Sequence, residues 1–282
     1  MNKVPYDYHI HTDFCDGKAK AEEFIKKAVE HKMEIIGFSS HGPVPFKTDW
    51  TMKEKDFPEY IKEINGLRNR YRNKIRILIG LEVDYIPGIF SCKSSIIKNA
   101  GLDYTLGSVH FLGQMKDGFR WTVDGPFEET DSGIKYTFGG DGKAAAEAYY
   151  DRISEMVRTA PPDIIGHFDL IKINNRNNYL FSEDEQWYRK LVEATFDVIA
   201  ESECVIEVNT GGITRKKIDA LYPSVWIIRE CFEKNIPMII NSDSHSPEHL
   251  GGSFDYALTE VKKAGYRKLV RFTEKGKEIY SI

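Results

Sequence analysis

Short apolar segments alternate with helical segments along almost the whole chain, and this alternation limits the folds open to it. Seven apolar segments have the length of buried strands, at residues 6–11, 34–40, 75–81, 102–109, 163–166, 204–208 and 237–241. Most are continuously apolar, as in strands that are covered on both faces by helices. The pattern predicts an α/β protein with a parallel sheet. Because no Gly-rich linker or change of composition divides the sequence, we expect one domain over residues 1–282.

The segments between the predicted strands carry apolar residues at helical spacing. In the first, Ala21, Phe24, Ile25 and Ala28 form one stripe. Further helices are predicted at residues 56–71, 89–100, 143–159, 183–202, 223–234 and 254–264, followed by terminal strands at 268–273 and 277–282.

Each predicted strand ends in a polar residue, and nearly all of these residues are of types that bind metals. In chain order they are His9, His11, His41, Glu82, His110, His167, Asn209, Asp243 and His245. In an open sheet the strand ends lie along a line, whereas a closed barrel brings them around one mouth. The sequence therefore favours a TIM-like (β/α) barrel of seven strands, with a metal site at the carboxyl ends of the strands.

The strand ends hold too many potential ligands for one ion. His9 and His11, two residues apart on a strand, point to the same face, and six of the eight histidines lie at strand ends. Zinc takes about four ligands, and a carboxylate such as Glu82 can bridge two ions. We therefore predict two or three divalent ions. Imidazoles with a few carboxylates suit Zn, Mn or Fe.

A site with several metal ions is suited to hydrolysis at neutral pH. The ions lower the pKa of water and stabilise negative charge on the group under attack. Phosphate monoesters profit most from concentrated positive charge, because their uncatalysed hydrolysis is among the slowest known. Hydrolysis of an amide is the competing use of the same groups.

Composition argues against several other classes of protein. The net charge of −4 and pI near 6.1 argue against a nucleic-acid surface, which would need clustered basic residues. No apolar run approaches the ~20 residues of a membrane span, and residues 1–7 do not resemble a signal peptide. We therefore expect a cytoplasmic protein that does not bind membranes. The four cysteines lack the spacing of a thiolate metal site or a disulfide framework.

Several short motifs together resemble those of the polymerase and histidinol phosphatase (PHP) superfamily. They are His9-Ile10-His11-Thr12, Asp16-Gly17, Ser40-His41-Gly42, Gly80-Leu81-Glu82, Gly107-Ser108-Val109-His110, Gly166-His167-Phe168-Asp169-Leu170 and Ser242-Asp243-Ser244-His245. The segment from Ile206 to Gly212, with Arg215 and Tyr222-Pro223-Ser224, resembles the histidinol-phosphatase branch more narrowly. The match runs from the first strand to the last helix.

The resemblance implies a distorted seven-stranded barrel with three metal ions. The implied ligand sets are His9, His11, Glu82 and Asp243 for one ion, Glu82, His110 and His167 for a second, and Asp16, His41 and His245 for the third. Asp13 or Cys15 could replace Asp16. The implied reaction is hydrolysis of L-histidinol phosphate to L-histidinol and phosphate, a step of histidine biosynthesis.

The resemblance also suggests which residues contact the substrate. Arg215 is the first candidate for holding the phosphate, followed by Lys172 and Arg176. A lysine supplies a point charge where an arginine supplies a planar fork. Asp243 and His245 are the candidates for protonating the leaving oxygen, although metal binding competes for the same lone pairs.

Two segments that follow strand ends should overhang the mouth of the barrel. Residues 42–55 include Trp50, and residues 111–142 form a predicted loop of about thirty residues. Loops of that length usually act as lids or specificity elements. Asp124, Glu128 or Asp131 could meet the amine of the substrate. The alternative is a surface insertion or a contact within a homo-oligomer.

Other functions stay open on the sequence alone. A related PHP phosphoesterase would act on another small phosphate ester or a nucleotide. A metal-dependent amidohydrolase usually needs a lysine at a strand end, and the strand-end set contains none. A metal-binding scaffold would not turn over any substrate.

Overall fold

The computed structural model describes residues 4–282, so the first three residues of the predicted domain lie outside it. The strands are β1 (Tyr6–Asp7), β2 (Ile35–Phe38), β3 (Arg76–Asp84), β4 (Tyr104–Ser108), β5 (Phe111–Gln114), β6 (Arg120–Thr122), β7 (Ile164–Ile165), β8 (Val205–Asn209), β9 (Met238–Asn241), β10 (Lys268–Thr273) and β11 (Gly276–Ser281).

The helices fill the intervals between the strands. They are α1 (Ala21–Glu30), α2 (Phe57–Tyr71), α3 (Ser95–Lys98), α4 (Phe127–Phe138), α5 (Gly142–Thr159), α6 (Gln186–Ala200), α7 (Gly211–Thr214), α8 (Val225–Glu233) and α9 (Phe254–Ala264). Short 3-10 turns lie at Glu54–Asp56, Leu170–Asn174, Arg176–Asn178 and Pro247–His249. Within residues 4–282, no helix has both the length and the apolar character needed to cross a membrane.

Seven strands form a parallel sheet in the order β1-β2-β3-β4-β7-β8-β9. The two ends of this sheet meet through a parallel bridge between Ile10 and Ser244. At this seam the His11 amide donates to the Ser244 carbonyl at 2.8 Å, and the Ser244 amide donates to the His9 carbonyl at 2.9 Å. The predicted seven-stranded barrel with surrounding helices is confirmed.

The first strand is much shorter than the predicted 6–11 segment. Beyond Asp7, side chains of the neighbouring strand ends take up backbone groups that a regular ladder would use. The Tyr8 amide donates to Asn241 Oδ1 at 3.0 Å, and the Ile10 amide donates to Ser39 Oγ at 3.2 Å. The segment is extended and buried, but it is held by side chains as well as by its backbone neighbours.

An aromatic layer fills the barrel at the end opposite to the histidines. The Tyr104 ring lies over Gly80, where an added Cβ would come within 2.3 Å of it. The Tyr104 hydroxyl donates to the Tyr8 carbonyl at 2.6 Å. The antiparallel hairpin of β10 and β11 brings Phe272 against both tyrosines. The terminal strands therefore lie outside the parallel sheet and pack below it.

Residues 111–142 are not the long loop that the sequence predicted. They contain the antiparallel hairpin of β5 and β6, followed by α4. Trp121 is fully buried and packs so closely on Gly113 and Gly133 that an added Cβ at either position would collide with its indole. Residues 111–142 therefore form a small folded element at the mouth. The predicted helix at 89–100 is also shorter, because only Ser95–Lys98 is helical.

Candidate active site

The other eight predicted metal ligands lie around Glu82, which is fully buried near the end of β3. Glu82 Oε2 lies 3.3 Å from His9 Nε2, 3.4 Å from His11 Nε2 and 2.8 Å from His41 Nδ1. Its other oxygen, Oε1, lies 3.0 Å from His167 Nε2 and 3.7 Å from His110 Nε2. One carboxylate therefore faces five imidazoles that follow four different strands, β1, β2, β4 and β7, a geometry suited to bridging.

His9, His11 and Asp243 form one group at the barrel seam. Asp243 Oδ1 lies 3.7 Å from His9 Nε2 and 3.3 Å from His11 Nε2. The Asp243 backbone has φ of 51°, a left-handed conformation that short polar residues tolerate better than most others. That turn directs its carboxylate toward the histidine pair of β1.

A second group contains Asp16, His41 and His245, with His11 beside them. Asp16 Oδ2 lies 3.0 Å from His245 Nε2, and Asp16 Oδ1 lies 3.7 Å from His41 Nε2. Among the described residues, Asp13 and Cys15 belong to no such group. The Cys15 thiol lies 3.6 Å from His11 Nδ1 and donates to the Thr12 carbonyl. Of the three candidates for this position, the geometry favours Asp16.

The donor atoms of this site fit divalent metal ions. Within residues 4–282, five buried atoms that face the centre have no hydrogen-bond partner: His9 Nε2, His11 Nε2, Asp16 Oδ1, His41 Nδ1 and Glu82 Oε2. A buried polar atom without a partner costs about 1–3 kcal/mol, so such a concentration indicates a ligand. Nitrogen and carboxylate donors of this kind suit Zn, Mn or Fe.

The electrostatics of the site keep its carboxylates ionised, as metal binding requires. Burial by itself would raise the pKa of Glu82, but His41, His9 and His110 outweigh it and hold that pKa well below the usual range. Burial likewise opposes ionisation of Asp243, yet Arg215 and His9 hold its pKa low. The site therefore presents negative charge to a cation.

Two buried carboxylates that the sequence analysis missed orient the histidines from behind. Glu207 Oε1 lies 2.7 Å from His9 Nδ1, and Asp84 Oδ1 lies 2.9 Å from His110 Nδ1. In each case the other ring nitrogen, Nε2, is the one that faces Glu82. Asp84 follows Glu82 by two residues on β3, so strand periodicity already places both on one face. Such contacts fix the orientation of a ligand and its tautomer.

Replacement of either carboxylate by its amide should weaken metal binding without removing a ligand. For Asp84→Asn and Glu207→Gln we expect metal affinity or activity to fall roughly 10- to 100-fold, because the imidazole loses a charged acceptor and keeps at most a neutral one. Competition titration with a chromophoric chelator measures the affinity. A Ser108→Ala variant is a poor control because Ser108 Oγ bonds Glu82, so Asp117→Asn in the distant hairpin turn should be used. Unchanged affinity in both amide variants would contradict this role.

The three predicted phosphate-binding cations have different surroundings. Arg215 lines the site, where its Nη2 donates to Asp243 Oδ2 at 2.6 Å and its Nη1 lies 2.9 Å from His245 Nδ1. Lys172 is buried, and its ammonium donates to Asp169 Oδ2, the Leu221 carbonyl and Ser224 Oγ. In this arrangement the three ammonium protons of Lys172 are used by the protein itself, and its role in phosphate binding stays a prediction.

Arg176 lies away from the metal-ligand residues, in a neighbouring depression that also contains Lys216 and Lys217. Lys217, which the sequence analysis did not single out, lines both this depression and the main cavity. It follows Arg215 by two residues in the turn after α7, and its exposed ammonium is the second cation at the mouth.

Seven of the nine predicted metal ligands, all except His9 and His11, form the floor of a cavity of about 200 Å³, which suits a small molecule. Its walls combine aromatic, apolar and polar side chains. The residues above the floor are Trp50, Thr122, Asp124, Gly125, Leu170, Ile173, Arg215, Lys217 and Tyr222. Trp50 stacks on Phe111 and meets His41 and His110 edge-on. Both segments predicted to overhang the mouth therefore contribute to its walls.

Burial by itself would lower the pKa of His110, but the carboxylates of Asp84 and Asp124 outweigh it and raise the pKa to about 10. Asp124 thus lies near this imidazole as well as in the cavity wall.

Comparison with known proteins places the chain in a family. The family model described as PHP domain matches residues 7–211. The probable histidinol-phosphatase of Deinococcus radiodurans is 29% identical over 93% of this chain and 94% of its own length, and the histidinol-phosphatase of Bacillus subtilis is 28% identical over 89% and 97%. The fold is similar to a crystal structure of histidinol phosphate phosphatase from Lactococcus lactis, which is complexed with zinc, L-histidinol and phosphate. The TM-score is 0.76 at 24% sequence identity, and the match covers 98% of this chain and all of that one. On the family match across most of its length, the chain belongs to the PHP domain family.

Proposed function

We propose that this chain is a single-domain, metal-dependent phosphomonoesterase that hydrolyses L-histidinol phosphate to L-histidinol and phosphate. The observation that carries the proposal is the convergence of six histidines and three carboxylates at the carboxyl end of the barrel, where seven of these residues form the floor of one small cavity with Arg215 in its wall. The relatives named histidinol-phosphatase support the choice of substrate, because their similarity extends over nearly the whole chain. By that reaction the protein would serve histidine biosynthesis in the cytoplasm.

We assign the ligands to two or three ions, of Zn, Mn or Fe. His9, His11, Glu82 and Asp243 would hold the first, Glu82, His110 and His167 the second, and Asp16, His41 and His245 the third. When bound, these ions would lower the pKa of water toward 7 and offset the negative charge of the phosphate.

The protein's own groups position the ester. Arg215 can donate to non-bridging phosphate oxygens while it contacts Asp243 and His245, so its charge lies where negative charge builds up during phosphoryl transfer. His245 is only partly buried and lines the cavity beside Asp243. Asp243 and His245 stay the candidates for protonating the leaving oxygen. Trp50 and Tyr222 limit access of bulk water from the sides.

The direct test is the rate of phosphate release by protein reconstituted with Zn or Mn. We expect kcat/KM for L-histidinol phosphate to exceed that for p-nitrophenyl phosphate by at least about tenfold, which corresponds to ~1.4 kcal/mol of selective binding in the transition state. A panel with phosphotyrosine, a nucleoside monophosphate and glycerol phosphate gives the comparison. Protein stripped by a chelator is the matched control.

The outcomes separate the alternatives. Phosphate release without preference for histidinol phosphate would support the phosphomonoesterase activity and overturn the named substrate. Absence of turnover on every ester, in protein that holds two or three equivalents of metal, would overturn the proposed activity itself.

A further inference from the structure

One carboxylate in the cavity is not used by the ligand set. Four carboxylates line the cavity, and Asp16, Glu82 and Asp243 belong to its floor; Asp124 is the fourth. We infer that Asp124 determines specificity by receiving the positively charged end of the leaving alcohol, which in the proposed substrate is a primary ammonium group. The inference rests on the proposed phosphomonoesterase activity and adds the chemical class of alcohol that the site selects.

Asp124 differs from the other acidic groups nearby in its contacts. Within residues 4–282 its carboxylate has no recorded hydrogen bond or ion pair, whereas Asp84 and Glu207 each hold a histidine. The other two candidates from the sequence are placed elsewhere. Asp131 bonds Lys135 and Tyr179, and Glu128 is exposed on α4 outside the cavity. Asp124 is therefore the acidic group in the wall that is free to meet a cationic ligand.

The backbone on both sides of Asp124 is fixed by one side chain. Asn174 Nδ2 lies 3.2 Å from the Val123 carbonyl, 3.0 Å from the Gly125 carbonyl and 2.9 Å from Thr130 Oγ1. The Val123 amide also donates to the His110 carbonyl at 2.9 Å. This last bond joins the residue before Asp124 to the backbone of His110, whose side chain belongs to the floor. Asp124 therefore has a defined position relative to the floor. A charge held in advance contributes more to recognition than a mobile one.

The distribution of charge in the cavity suits a substrate with opposite charges at its two ends. Arg215 and Lys217 supply positive charge for a phosphate, while Asp124 supplies negative charge on the wall built by the β5–β6 hairpin and the turn before α4. Leu170 and Ile173 line the cavity as well and are mostly shielded from water. An ion pair formed beside apolar groups is screened less than one on an open surface.

The test compares two esters that differ only in the ammonium group, L-histidinol phosphate and its deamino analogue 3-(imidazol-4-yl)propyl phosphate. For Asp124→Asn we expect kcat/KM on the aminated ester to fall about 10- to 100-fold, chiefly through KM, as for truncation of one partner of a partly buried charge pair. On the deamino ester the loss should be several times smaller. Asp124→Glu should recover part of the preference, and Glu128→Gln is the matched control on the same segment. Metal content is measured for each variant.

Three results would overturn the inference: equal losses on both esters, no loss on either, or a loss explained by reduced metal content. The first would mean that Asp124 acts through His110 and the metal centre. A second pair of esters, O-phosphoethanolamine and ethyl phosphate, separates this inference from the named substrate. If the protein shows no preference for histidinol phosphate but Asp124→Asn still selectively impairs O-phosphoethanolamine, the inference stands and the named substrate falls.

Discussion

Glu82→Gln should abolish nearly all phosphatase activity and most metal binding while leaving the fold intact. Glu82 faces five histidines, and its two oxygens divide between two predicted ligand groups. An amide has the same shape but carries no charge, so at least one ion loses its shared ligand. Since a metal ion contributes several kcal/mol of charge stabilisation, we expect kcat/KM to fall by about three orders of magnitude or more. Steady-state kinetics and elemental analysis after dialysis measure the two effects.

The matched control is Glu260→Gln, because Glu260 is also a buried glutamate but lies on α9, where it pairs with Lys263. This variant should retain both metal content and rate. Retention of all metal and of more than a tenth of the activity in Glu82→Gln would contradict a bridging role. Near- and far-ultraviolet circular dichroism distinguishes loss of metal from loss of the fold.

The second large effect is expected at Arg215. Arg215→Met should lower kcat/KM roughly 10²- to 10³-fold, the range found when a preorganised donor to a developing charge is removed. Arg215→Lys should recover only part of the rate, because an ammonium cannot supply two parallel donors. Metal content should stay close to that of the wild type, since a guanidinium is not a metal ligand. Initial rates over a range of substrate concentrations, beside elemental analysis, provide the measurement.

Arg158→Met is the control for Arg215, since Arg158 is exposed near the end of α5 and does not line the cavity. It should leave the rate unchanged. If Arg215→Met lost metal in proportion to activity, its contacts with Asp243 and His245 would be its main contribution, and the phosphate-binding role would be wrong.

The sequence predicted the barrel, and the polar residues that converge at its mouth, because most strands are continuous apolar runs that end in a polar residue. Such a run marks where a strand leaves the core, so the residues at its end could be recognised without coordinates. Asp84 and Glu207 were missed because neither is the polar residue that was read as the end of its strand. Their partners, His110 and His9, lie on other parts of the chain. Only strand periodicity relative to Glu82 and Asn209 indicated the face on which they lie.

The segment after His110 contains a sequence signal for the β-hairpin that the structure shows there. Asp117-Gly118 lies between two short apolar runs, and an Asp-Gly pair in that setting favours a tight hairpin. In the structure Gly118 has φ of 91°, and the Met115 amide donates to the Phe119 carbonyl at 2.7 Å across the turn. The strands are only three and four residues long, which is why their alternation did not stand out from a loop.

Lys172 shows a limit of reasoning from motif position. Its place five residues after His167 suggested a phosphate contact, but Asp169, three residues before it, draws the ammonium into the protein. There it links the turn after β7 to the Leu221–Ser224 segment that carries Tyr222. The direction of a long side chain depends on partners that are distant in sequence, here 49 and 52 residues away.

The seam of the barrel has a consequence for synthesis of the protein in the cell. Asp7 accepts hydrogen bonds from the amides of Ser242 and Gly251, so the first segment of the chain is completed by one of the last. The separation between Asp7 and Ser242 is 235 residues. At translation rates of about 5–20 residues per second, His9 and His11 wait roughly 10–50 s after leaving the ribosome before Asp243 exists. During that interval the nascent chain holds only part of its predicted ligand set, so we expect hydrolytic activity to begin only after Asp243 has been synthesised and has joined the seam.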